Sequence, residues 1–245
     1  MISSSLRSNL APTGRLRVGI NYGNPVLATK DAAGGEFRGV AVDLARELGT
    51  RTGLPVELVG YGSAGTMFEA LRVGAWDIAF LAIDPERAAQ ISFTAPYLEI
   101  EGTYLVPAES PLRTIADIDR EGMRIGVSSG SAYDLFLSRH LRHAELVRAP
   151  TPNSAFEMIV SGKVDVIAGV KQHLMANTEM LPGSRVLDGR FMAIQQALGT
   201  PKGRDAALRY LSAFIEDVKA SGLVARFLER AGIRGVAIAT GAPIP

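Results

Sequence analysis

The sequence predicts an α/β protein of two similar lobes, each a mixed, mostly parallel sheet flanked by helices. Three observations carry that expectation. Short apolar runs alternate with stretches of helical spacing, the rhythm of a sheet covered by helices. The rhythm pauses near residue 93 and restarts near residue 124, and the second series echoes the first in element order and size. Two extended stretches, near 97–107 and 191–200, flank the second series, so the second lobe reads as an insertion after which the chain returns to the first. Open α/β sheets bind ligands at the C-terminal ends of their strands, and ligand is expected there, in a cleft between lobes. The boundaries follow from the same reading: a flexible N-terminal arm over 1–14, a first lobe over 15–102 plus 198–245, and an inserted lobe over 103–197.

Each element has a local reason. Leu16–Ile20 is an apolar run between turn formers, hence a strand, and Asn21–Pro25 is the loop after it. Asp31–Gly35 reads as a turn between short extended pieces. Val40, Leu44 and Leu48 share a helical face, and Gly49 stands where a helix-ending glycine would. Val56–Val59 is a strand, and Thr66–Val73 a helix with Met67, Leu71 and Phe68 facing inward. Asp77–Ile83 is almost wholly apolar, as a strand buried on both faces must be. Phe93–Val106 contains Pro96 and reads as extended chain. The second series follows: strand Arg124–Val127, turn Ser128–Ser131, helix Ala132–Leu141, strand Glu145–Val147, helix Asn153–Val160 and strand Val164–Val170. Lys171–Met180 reads as a helix and Arg185–Leu187 as a short strand. After the extended Phe191–Thr200 come helices Asp205–Ser221 and Leu223–Ala231, separated by Gly222.

Composition removes several function classes. The 26 basic and 25 acidic residues leave a net charge of +1, which argues against a nucleic-acid binder. Apolar residues at 47% exclude a disordered chain. No apolar run reaches the roughly 18 residues of a membrane helix, so no membrane insertion is expected. Cysteine is absent, which excludes disulfides, thiol nucleophiles and iron–sulfur clusters. The N-terminal residues show no apolar signal core, so the chain is expected to be cytosolic or to have had a signal removed. No phosphate-binding glycine loop, dinucleotide fingerprint or nucleophile elbow occurs, and no cofactor is expected. His140 and His143 could pair on a metal, but they lack a third ligand and read as a solvated face. Trp76 reads as a packing residue.

Two stretches carry a resemblance. Gly74-Ala-Trp-Asp-Ile-Ala-Phe-Leu-Ala-Ile-Asp-Pro-Glu-Arg87, with its tail Ile91-Ser-Phe-Thr-Ala-Pro-Tyr97 and the earlier Gly39-Val-Ala-Val-Asp43-Leu-Ala, resembles the family-3 extracellular solute-binding proteins, the amino-acid-binding components of ABC importers. The similarity runs from about Leu16 to about Gly232. It implies the type II periplasmic-binding-protein fold with two hinge strands, a monomer in the periplasm, a small carboxylate ligand captured by lobe closure, and an ABC permease as partner if the protein is exported. It also implies that Arg87 clamps the ligand carboxylate, which suits a guanidinium's two parallel donors. Read without the motif, Arg87 is an arginine on a solvated turn or in a helix-start ion pair.

The turn Ser128-Ser129-Gly130-Ser131 leads into a helix, whose N-terminal amides suit an anion. By resemblance Ser129, Gly130 and Ser131 hold the same carboxylate from the second lobe, and Ser131 is equally an N-cap. Asn21, Tyr22 and Asn24 follow the first strand, where the resemblance implies an aromatic lid and polar contacts. A plain turn role suits both asparagines equally well. Tyr61 and Phe68 are further aromatic candidates, with Phe68 better suited to the core. Gln195 and Gln196 sit in the second extended stretch, and strand alternation lets only one of them face a ligand.

Two departures from the family pattern concern the ligand's ammonium group. The Ser/Thr-rich tract expected after Asp77 is here the apolar Phe80–Ile83, so Ile83 lines the site in its place. The acid expected near Val170 is absent, and Lys171 follows instead. A buried cation without a counter-charge is costly. Either Glu99 or Glu101 replaces those partners, or the ligand lacks an ammonium and Lys171 meets a second anionic group or a carbonyl beside the carboxylate. Solvated roles for Lys171, Glu99 and Glu101 are the plainer alternatives. An enzyme on the same scaffold, a cyclohexadienyl or arogenate-type dehydratase drawing its general acid from these three residues, is the second reading. A ligand-sensing module is the third.

Overall fold

The computed structural model describes residues 2–31 and 35–240. The chain divides into two compact units. The first comprises Met1–Gly62, Thr66–Glu99 and Gln195–Pro245, and the second Ser63–Gly65 and Ile100–Ile194. Apart from the short Ser63–Gly65 segment, the chain passes between units three residues before each limit read from the sequence, within strands β7 (Leu98–Val106) and β12 (Met192–Pro201). Both strands run on unbroken through the crossing, so no turn residue marks it.

The first unit begins with a helix, not a flexible arm. Helix α1 (Ser4–Leu10) is capped by the Ser3 side chain, which accepts from the Leu6 amide at 3.2 Å. Leu10 and Ala11 are buried, and α1 packs on α8 (Asp205–Ala220). Strand β1 (Leu16–Asn21) follows. Strands β2 (Thr29–Lys30) and β3 (Phe37–Arg38) pair antiparallel on either side of the expected turn, of which residues 32–34 lie outside the described chain. Helix α2 (Val40–Thr52) runs past Gly49 and ends at Gly53, whose φ of 66° supplies the left-handed cap. Strand β4 (Val56–Tyr61), helix α3 (Ala64–Glu69) with a 3-10 turn at Ala70–Val73, and strand β5 (Ile78–Ala82) come next. The short helix α4 (Pro85–Ala88) and strand β6 (Ile91–Phe93) precede β7. The sheet order is β4-β1-β5-β12, parallel through β5, with β12 and β6 antiparallel. Val18, Ile20, Ile78, Phe80 and Leu198 are fully buried in this sheet, and Leu44 and Leu48 of α2 and Leu211 and Ile215 of α8 are buried from the helical side.

The second unit repeats the plan. Its strands are β8 (Arg124–Ser128), β9 (Glu145–Ala149), β10 (Val166–Val170) and β11 (Arg185–Val186). Its helices are α5 (Ala132–His140), α6 (Pro152–Val160) and α7 (Lys171–Thr178). The order β7-β10-β8-β9 places β8 and β9 parallel and β7 antiparallel. Leu105, Phe156, Ile159, Val164, Ile167 and Leu174 form its core. Helix α9 (Leu223–Arg230) and strand β13 (Ala237–Ile238) complete the first unit. There β13 pairs with Leu98 and Glu99 of β7.

The repeat extends to single residues. Arg17-Val-Gly-Ile in β1 corresponds to Arg124-Ile-Gly-Val in β8, and Gly74-Ala-Trp-Asp77 to Gly162-Lys-Val-Asp165. Each aspartate accepts a forked guanidinium: Arg17 at 2.9 Å to both oxygens of Asp77, and Arg124 at 3.1 and 2.8 Å to Asp165. Each aspartate amide also donates to that arginine's carbonyl, at 2.8 and 2.9 Å. The arginine in turn donates to the glycine carbonyl, Gly74 or Gly162. The strand glycines leave room for close neighbours, a helix at Gly19 and the adjoining strand β10 at Gly126. A Cβ on Gly19 would sit 3.0 Å from Met67 Sδ, and one on Gly126 3.0 Å from Ile167 Cγ2.

Candidate functional site

The candidate residues fall at matching places in the two units. Asn21 ends β1 and Ser128 ends β8, so the loops Asn21-Tyr22-Gly23-Asn24 and Ser128-Ser129-Gly130-Ser131 correspond. Ile83 and Lys171 each lie six residues after the paired aspartate. All these positions are at strand C-termini, where parallel sheets expose backbone and loops to ligand.

In the first unit, Asn21 and Asn24 act as turn formers. Asn21 Oδ1 accepts from the Gly23 amide at 3.0 Å and Asn24 Oδ1 from the Val26 amide at 3.1 Å, and both side chains are buried. Tyr22 is half-buried and stacks on Phe37 at 5.9 Å, with Lys30 Nζ 5.6 Å from its ring centre. Its ring therefore already has a partner on its own unit. Ile83 is half-buried, and its amide donates to the Gln195 carbonyl at 2.9 Å.

Arg87 is completely buried, not on a solvated turn. It sits on α4, which the sequence reading missed. The signal was present in Asp84-Pro-Glu: Asp84 accepts from the Glu86 amide at 2.9 Å, and Pro85 occupies the first turn. Arg87 Nη1 donates to the Ala82 carbonyl at 2.9 Å. Burial lowers its pKa to about 10, partly opposed by the negative charges of Asp84 and Glu86. A buried guanidinium of this kind gains from an incoming carboxylate, which supplies two charge-assisted bonds.

In the second unit, Ser131 caps α5, accepting from the Asp134 amide at 3.1 Å, and is buried. The turn is not an empty amide cradle. Asp134 is itself buried, and its Oδ2 accepts from the Gly130 amide at 2.8 Å. Arg148 Nε donates to both Asp134 oxygens, at 3.0 and 3.2 Å. Gly130 thus gives its amide to the chain's own carboxylate, because Asp134 lies one turn into α5. Ser129 is exposed, and its amide donates to the Ala149 carbonyl at 2.8 Å. Buried Tyr133, beside Ser131 and Ser128, was also missed. Burial pushes its hydroxyl up to about 12, so it remains protonated.

Lys171 and Glu101 correct each other. Lys171 Nζ lies 2.6 Å from Glu101 Oε2, with each side chain about a third exposed. Neither is a lone charge awaiting ligand: Gly102 and Val170 are register partners, which brings the adjoining residues together. Glu99 accepts from Gln195 Nε2 at 3.4 Å. His140 is exposed, with Nδ1 2.7 Å from the Phe136 carbonyl and its ring stacked on Phe136. No group of three or more metal-ligating side chains occurs among the described residues. Trp76 is buried and donates Nε1–H to the Met67 carbonyl at 2.8 Å. No helix among the described residues is long and apolar enough to cross a membrane.

Against this geometry, the family model for bacterial extracellular solute-binding proteins, family 3, matches residues 16–232, and the chain belongs to that family. ABC transporter arginine-binding protein 1 of Escherichia coli is 23% identical over 197 residues, covering 78% of this chain and 79% of that protein. The virulence sensor protein BvgS of Bordetella pertussis is 27% identical over 133 residues, 54% of this chain but only 11% of the sensor. A cyclohexadienyl dehydratase of Pseudomonas aeruginosa is 28% identical over 137 residues, 54% of this chain and 51% of the enzyme. Among solved structures, the solute receptor for L-cysteine of Neisseria gonorrhoeae superposes with a TM-score of 0.80 at 22% identity, covering 94% of this chain and 93% of that one. The fold is therefore that of type II periplasmic binding proteins.

Proposed function

We propose that the protein is the substrate-binding component of an ABC importer. It captures a small carboxylate-bearing solute, an amino acid or related organic acid, in the periplasm and presents it to a permease. Arg87 takes the carboxylate from the first unit, and the Ser131 helix start takes it from the second when the lobes close around the ligand as a monomer. The observation that carries the reading is the fully buried guanidinium of Arg87, fixed by the Ala82 carbonyl behind a capped turn.

The dehydratase reading needs a general acid, and the structure pairs Glu101 with Lys171 and sets Glu99 against Gln195. That supports a binding protein over an enzyme.

The test is a thermal-shift screen against amino, hydroxy, keto and dicarboxylic acids, followed by titration calorimetry of the hits. A ligand that binds only the folded state raises Tm with its concentration. Arg87→Ala is expected to weaken the hit about 100-fold or more. Unchanged affinity in that variant refutes the clamp. With the guanidinium pKa lowered to about 10, wild-type affinity should hold through neutral pH and fall as pH rises through that value.

A further inference from the structure

The first unit contains a polar atom that its own fold leaves unserved. Strand β12 pairs antiparallel with β5, placing Gln196 opposite Ala82 and Leu198 opposite Phe80. Opposed residues of such a ladder share a face. Tyr97 joins them, its amide donating to the Gln196 carbonyl at 2.8 Å and its ring meeting Phe80 edge-on at 5.9 Å. On this apolar face the Gln196 side chain is only 4% exposed, and its Oε1 accepts no hydrogen bond. Its neighbour Gln195 is exposed and donates to Glu99. Folded proteins seldom leave a buried amide oxygen without a donor, because it has lost its water and gained nothing. The location is specific as well. Ala82, directly across the ladder, is the residue whose carbonyl holds Arg87.

We propose that Gln196 determines ligand specificity: its Oε1 accepts a hydrogen bond from an N–H or O–H carried by the carboxylate solute held at Arg87. The inference rests on the carboxylate reading of Arg87. It also gives that reading a ligand class. A neutral amide oxygen accepts from a hydroxyl and from an amine alike, whereas a keto group offers it no hydrogen. The ligand is therefore a carboxylate with a donor beside it, an amino or hydroxy acid, in preference to the keto acid of the same skeleton. This accounts for the absence of the usual acidic partner, since an amide oxygen serves in its place without demanding a cation.

Three matched sets test the idea by calorimetry: L-alanine, L-lactate and pyruvate; L-phenylalanine, phenyllactate and phenylpyruvate; L-glutamate, 2-hydroxyglutarate and 2-oxoglutarate. In the set it binds, the wild-type protein should prefer donor-bearing acids over the keto acid by about tenfold. Gln196→Met should erase that preference without lowering the ligand-free Tm, because it removes an unpaired acceptor. Gln196→Glu should keep donor binding and shift preference from the hydroxy to the amino acid, and it carries the test if the methionine variant does not fold. A preference that survives Gln196→Met overturns the proposal, as does a glutamate variant with the wild-type order. Arg87→Ala separates the two levels. If it abolishes binding while the Gln196 variants change nothing, only the Gln196 inference fails. If it leaves binding intact, or if no set binds the wild-type protein, the carboxylate reading fails and the inference with it.

Discussion

In the first unit Asp77 is fully buried and holds two arginines, Arg17 at 2.9 Å and Arg204 at 2.9 Å. At the same step of the repeat in the second unit, Asp165 holds Arg124 alone and its side chain stays 38% exposed. Local sequence and hydrogen-bond pattern are nearly the same. Depth differs, and depth decides what the pair is worth. A buried carboxylate cannot be stripped of its partners, nor its partners of it, without leaving an uncompensated charge in a poor solvent. An exposed pair exchanges much of its attraction for water and salt. The same motif is thus a structural anchor in one unit and a modest contact in the other. Arg204, reaching in from the chain's last third, makes the difference: it also donates toward the Asn9 carbonyl at 3.4 Å, so one carboxylate joins β1, β5 and the N-terminal helix.

The comparison can be broken at its strongest point. Asp77→Ala should cost about 3–5 kcal/mol of stability, read by urea unfolding, because two guanidinium groups lose their anion together. If it costs no more than Asp165→Ala, burial is not what separates the two sites. Arg204→Ala should cost less, about 1–3 kcal/mol, since Arg17 still holds Asp77. Its loss should be non-additive with Arg17→Ala in a double-mutant cycle, and strict additivity would show that the two arginines act separately. Asp165→Asn should give the smallest effect, and one with a definite pH dependence. The hydrogen bonds from Arg124 hold the Asp165 carboxyl below its usual range. Its contribution is therefore present above the ordinary carboxylate pKa of about 3.9 and lost as pH falls through the lowered folded value. The Tm gap between wild type and Asp165→Asn at neutral pH should close in acid. A gap that persists there would assign the effect to packing.

Much of the scaffold was readable from periodicity, because the strands at Leu16, Ile78, Arg124 and Val166 are short apolar runs between turn formers. The doubled lobes were readable too, from element order. What escaped was set by contacts distant in sequence. Helix α1 has its Ser3 cap in plain view, but its docking depends on α8, some 200 residues away. The crossings between units lie within continuous strands, which offer no turn residue to mark them. At the candidate site, Arg87 and Ser131 were legible as a motif and as a cap. The pairing of Lys171 with Glu101 was not, since only the register of β10 against β7 brings them together. The occupation of the Gly130 amide by Asp134 was legible in principle, as an acid in the first turn of a capped helix.

The family match begins at residue 16 and stops at residue 232. The molecule's own stitching does not respect those limits. Trimming to the matched span would remove α1, uncover α8, on which it rests, and take away the Asn9 carbonyl toward which Arg204 reaches. It would also unpick β13 from Leu98 and Glu99, at the last residues before the chain leaves the first unit. For this protein, trimming at the limits of the family match would cut through load paths of the fold, because α1 and β13 are the seams that close the first unit.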